Sequence, residues 1–103
     1  MPLKENKKRK IMQLSEEIDE IVCVIDKIGS GFETTENMSL ALALFFKERG
    51  VLDKLSHIRR FLMTELSKNI SSAEYDEWIE KEISFWNPPY KMTKDELIKR
   101  IKE

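Results

Sequence analysis

The chain holds one histidine, His57, and one cysteine, Cys23. A cysteine nucleophile needs a base within hydrogen-bond reach, and a general base needs a partner or a pocket that tunes it. Nothing along the chain pairs these two. Cys23 stands between Val22 and Val24, where a small core hydrophobe is expected. No HExxH, GxSxG or CxxC motif occurs, and Gly29-Ser30-Gly31 is too short for a phosphate loop and lacks a following lysine. A lone cysteine closes neither an intramolecular disulfide nor a zinc site. The expectation is a protein without catalysis and without a cofactor.

Carboxylates are the more abundant chemical resource. Glu16, Glu17, Asp19 and Glu20 form one group; Glu74, Asp76, Glu77, Glu80 and Glu82 form another, with Lys81 as the cation among them. A di-metal centre in a helical bundle would need Glu-x-x-His pairs, and Lys54, not a glutamate, stands three residues before His57. No metal site is expected. The plain reading of both groups is a solvated helix face. The functional one is an acidic surface that attracts a basic partner and speeds its association. Tyr75, Trp78, Phe85, Trp86 and Tyr90 fall within residues 75–90, a stretch that overlaps the second group. Aromatic anchors bordered by charge are common at protein–protein hot spots, although both tryptophans could equally fill a small core. Glu74, Glu77, Glu80, Trp86 and Tyr90 are therefore the candidate partner-binding residues.

Helices must position these groups. Ile11, Leu14, Ile18, Ile21, Ile25 and Ile28 alternate spacings of three and four, which predicts helix over 5–28, stopped by Gly29-Ser30-Gly31. Thr34 or Thr35 caps a second helix over 35–49, apolar on nearly every side and so expected to be the most buried. A third helix covers 52–68, with Lys54, Arg59 and Arg60 on or near its polar face. Ser71 and Glu74 match a capping box for a fourth over 72–86, whose stripe includes Ile79 and Ile83. Asn87-Pro88-Pro89 ends it, making 87–93 a linker. Thr93 and Glu96 cap a last helix over 94–102. The expected core comprises Leu42, Phe45, Leu55, Ile58, Leu62 and Ile79. The fold class is all-α, a single small bundle of about five helices over 1–103.

The 103 residues carry a net charge of −1, with 41% hydrophobic and 36% charged residues. That composition is too apolar for a disordered chain. The longest apolar run, Met38 to Phe46, falls far short of the ~20 residues of a membrane span. Met1-Pro2-Leu3-Lys4 does not resemble a signal peptide, which makes cytoplasm the default compartment.

In size, helical layout and the acidic, aromatic fourth helix, the chain resembles the small helical immunity proteins of bacterial toxin systems. These guard against contact-dependent inhibition toxins and nuclease bacteriocins. The resemblance implies an inhibitor that occludes the active surface of a cognate basic toxin, with a nuclease as the expected target. Residues 1–10, which carry Lys4, Lys7, Lys8, Arg9 and Lys10, depart from the acidic habit of that group. A second reading is a helix–turn–helix regulator using Lys54, His57, Arg59 and Arg60. The net negative charge beyond residue 10 opposes it, because phosphate contact dominates nucleic-acid affinity. A third is an adaptor that pairs through the stripe of the first helix.

Overall fold

A computed structural model describes residues 4–82 and 84–103. Ile83 and the first three residues, on which the sequence reading also drew, lie outside it. Among the described residues there are five α-helices and no strand: α1 (Glu5–Gly31), α2 (Thr35–Glu48), α3 (Val51–Ser67), α4 (Ser72–Glu82) and α5 (Lys94–Lys102). The protein is all-α. Its helices form two compact units, Met1–Thr64 and Glu65–Glu103.

In the first unit, Ile21, Phe45 and Val51 form the core, and Val24, Ile28 and Leu55 pack against it. The contacts fix the topology. Phe45 meets the C-terminal half of α1, so α2 returns along that half. Ile58, Phe61 and Leu62 line one groove with Ile11, Leu14, Ser15 and Ile18, so α3 runs on antiparallel to the N-terminal half. The corner between α2 and α3 is Arg49-Gly50. Arg49 N donates to Phe45 O at 3.0 Å, and Gly50 takes φ +55, a left-handed conformation that suits glycine. Val51 follows at 0% exposure, so the corner seats the most deeply buried side chain.

A three-residue ionic clamp ties this corner to α1. Glu20 accepts from Arg49 Nε at 3.3 Å and Nη2 at 2.9 Å, and from Lys54 Nζ at 3.2 Å. Those hydrogen bonds, Arg49 first and Lys54 second, hold the Glu20 carboxyl below the usual carboxylate range. Lys54 thus faces α1 and not the polar side of α3.

Several sequence expectations need correction. The glycines do not stop α1 at residue 28; the helix continues to Gly31, and Ser30 Oγ bonds back to Asp26 O at 3.1 Å. The stop is Phe32, whose backbone is extended. Neither Gly29 nor Gly31 has positive φ, so neither provides the left-handed cap. The helix α2 is not the most buried. Only its Phe45 is fully buried, while Leu40, Leu44 and Phe46 are exposed, because α2 packs on α1 through the side that carries Phe45. Phe45 and Ile58 are core residues as expected, and Leu42 and Leu55 are half-buried. Leu62, 59% exposed, and Ile79, 38% exposed, are not. Leu62 stands at the lip of the open α1–α3 groove. Ile79 belongs to the second unit, where no described side chain is fully buried and the short helices cover little of each other. Cys23 is an exposed free thiol, its Sγ 3.7 Å from Asp19 Oδ1 one turn back, because its place on α1 lies well round the helix from the buried Leu14–Ile21 line.

In the second unit, α4 begins where Glu74 N donates to Ser71 Oγ at 3.1 Å. It ends at Glu82 and does not reach 86. A proline ring clashes with the carbonyl four residues earlier and leaves it without a donor. Pro88 and Pro89 therefore keep the helix from running on through residues 87 and 88, and Ser84 to Pro89 are not helical. The α5 capping box is complete: Glu96 N donates to Thr93 Oγ1 at 3.2 Å, and Thr93 N to Glu96 Oε1 at 3.3 Å.

Candidate functional site

The acidic side chains of α4 are set by helical geometry. Glu74 and Glu77 are three residues apart, Glu77 and Glu80 likewise, and Asp76 lies four before Glu80, so they share the surface opposite Tyr75 and Ile79. Glu74, Glu77 and Glu80 are all exposed. Lys81 Nζ donates to Glu77 Oε1 at 2.8 Å, which partly neutralises the centre of the group. Like charges at this spacing repel, each pair costing a helix about 0.2–0.5 kcal/mol. The acidic face thus opposes the helix that carries it.

Of the aromatics, Tyr75 and Trp78 are half-buried and lie against each other, with ring centroids 6.1 Å apart at 58°. Trp78 is therefore not an open anchor. Trp86 and Tyr90 are 76% and 87% exposed, and Phe85 is exposed beside them. Their positions follow from the prolines. The segment 84–89 is not helical, and Tyr90 N donates to Pro88 O at 2.9 Å while Met92 N donates to Pro89 O at 3.1 Å. These bonds close a tight turn that carries Tyr90 at its end. All five candidate residues are accessible: three on the helix, Trp86 in the non-helical segment after it, and Tyr90 in the turn. Aromatic side chains of this size bury 150–250 Å² each when covered, by general magnitude, so two exposed rings are a substantial unspent contact area.

The rival basic constellation is only partly assembled. Lys54 is held by Glu20, while His57, Arg59 and Arg60 are exposed. His57 and Arg60 join Lys10, Phe61 and Thr64 around a depression of about 270 Å³, a cationic hollow spanning α1 and α3. Sequence spacing did not reveal it, since Lys10 and Arg60 meet only through the hairpin. Nor did it reveal Glu17, whose Oε2 is buried with no hydrogen-bond partner. Among the described residues, no group of three or more His, Cys, Asp and Glu side chains is placed to hold a metal ion, and no helix is long and apolar enough to cross a membrane.

Compared with known protein families, curated proteins and solved structures, the chain matches none.

Proposed function

We propose that this chain is a non-enzymatic, protein-binding inhibitor, an immunity protein that neutralises a basic bacterial toxin, with a nuclease as the expected target. The observation that carries the reading is in the second unit: Glu74, Glu77 and Glu80 are exposed on α4, and the rings of Trp86 and Tyr90 are exposed in the segment that follows it. Carboxylates of this density steer a cationic cleft toward the surface, and the rings supply the apolar contact that electrostatics alone does not. A nuclease active surface is cationic because it binds phosphate, so an acidic protein face is a suitable plug.

The test uses the untagged full chain and its E77K/E80K and W86A variants against the protein encoded immediately upstream of it in its native host. The wild type is expected to bind and inhibit that protein, with association slowing as salt shortens the screening length below about 8 Å. E77K/E80K should slow association, and W86A should speed dissociation. Unchanged affinity in both variants overturns the reading. So does tight, salt-sensitive DNA binding by the wild type that disappears in R59A/R60A.

A further inference from the structure

A different surface, in the first unit, is not used by that reading. The helix α1 buries Leu14 and Ile21, but the neighbouring row Ile11, Ile18 and Ile25 is left 36%, 40% and 37% exposed. These three repeat every seven residues, and Val22, also exposed, borders them. Across the groove of about 320 Å³, exposed Leu62 continues the apolar surface onto α3. A helical pair with one uncovered apolar face lacks a second layer.

The charges along α1 say what covers it. Residues 4–10 hold five cations and one anion, net +4; residues 16–26 hold five acids and no base, net −5. Lys4 continues the row by heptad spacing, Lys8 stands with Ser15 and Val22 on its outer border, and Asp26 lies one turn beyond Val22 on that same side, at the other end. Two such helices side by side in parallel would set Lys4 and Lys8 against their own copies. Antiparallel, about a two-fold axis between Ser15 and Ile18, they set Lys4 and Lys8 of each copy against Asp26 of the other and pack the isoleucine rows together. A two-fold interface is self-complementary, and this helix carries both halves of the complement. Ser15, at the axis, is small enough for close approach of the helices.

We propose that α1 is the interface of an antiparallel homodimer, in which the exposed row Ile11, Ile18 and Ile25 and the α1–α3 groove pack against the same surface of a second copy. The basic N-terminal segment then serves the dimer, and not a nucleic acid.

Light scattering of the full chain is expected to give twice the 12.2 kDa chain mass. Ile18→Glu should give a monomer with unchanged helical circular dichroism, since residue 18 is not part of the core. K4E/K8E should weaken the dimer on the order of tenfold, the equivalent of two surface ion pairs, and adding Asp26→Lys should restore it. Orientation is read by single cysteines in a Cys23→Ser background. Ile18→Cys should cross-link to itself, whereas Ile25→Cys should not, since the two copies of residue 25 lie more than about 20 Å apart in this arrangement. A wild-type monomer, an Ile18→Glu dimer, or equal self-cross-linking at positions 18 and 25 overturns the proposal. None of these measurements depends on a toxin, so failure here leaves the acidic α4 surface to be judged separately.

Discussion

Gly29 and Gly50 are the same residue type in opposite circumstances. Gly29 lies within α1 with nothing inside 4 Å of the position a Cβ would take. Gly50 also has room, but its φ is +55. A glycine inside a helix loses backbone entropy that alanine does not, so Gly29→Ala is expected to stabilise the protein by about 0.5–1 kcal/mol. An L side chain in the left-handed region costs about 1–2 kcal/mol, so Gly50→Ala should destabilise it by that amount. Urea denaturation of the two variants beside the wild type checks both signs. Glu20 gives a second residue-scale expectation. Its folded pKa is lowered by Arg49 and Lys54, so its contribution to stability is present above the ordinary carboxylate range and is lost as pH falls through the lowered value. Denaturation midpoints of wild type and Glu20→Gln should therefore differ at neutral pH and converge in acid.

At the scale of the element, α4 is a short helix, Ser72–Glu82, with an acidic face that repels itself. Glu80→Lys would turn the repulsions with Asp76 and Glu77 into attractions at the four- and three-residue spacings. Stability is expected to hold or rise by up to about 0.5 kcal/mol, measured by thermal unfolding, so any loss of partner binding in that variant reflects the surface and not the fold. The prolines set the other limit of the element. In P88A/P89A residues 87 and 88 are free to take up the α conformation, and α4 should lengthen by about one turn. The 222 nm ellipticity would report it, and incorporation of Trp86 into the helix should change its fluorescence maximum. An unchanged spectrum would show that something other than Pro88 and Pro89 ends the helix.

For the molecule, the informative contrast is between residues the sequence weights alike and the structure treats differently. Phe45 and Leu62 are both large apolar residues on helical stripes, yet one is in the core and the other stands 59% exposed at the groove. Phe45→Ala is expected to cost about 3–5 kcal/mol, the range for emptying a core aromatic site. Leu62→Ala should cost well under half of that in the monomer, because little of its surface has left water. Chemical denaturation at low protein concentration measures both. If the second copy covers the groove, the Leu62→Ala penalty should grow with protein concentration, since dimerisation links stability to mass action.

Helix number, helix order and most boundaries were legible in the sequence because they rest on local physics. Thr34, Ser71 and Thr93 each accept a hydrogen bond from a backbone N–H of the helix they precede, and such caps act within three residues. Even so, local signals misled where two answers were available: Gly29 and Gly31 could end a helix or sit inside one, and the chain took the second. Which apolar face would find a partner was not local at all. The stripes of α1, α2 and α3 each carry more apolar residues than one contact can bury, so periodicity marked Leu62 and Phe45 alike. Only the antiparallel return of α2 and α3 along α1 chose between them. The same return brought Glu20 to Arg49 and Lys54, and Lys10 to His57 and Arg60. Contacts between residues so distant in sequence leave no periodic trace, because their energy depends on the packing of whole helices and not on neighbours along the chain.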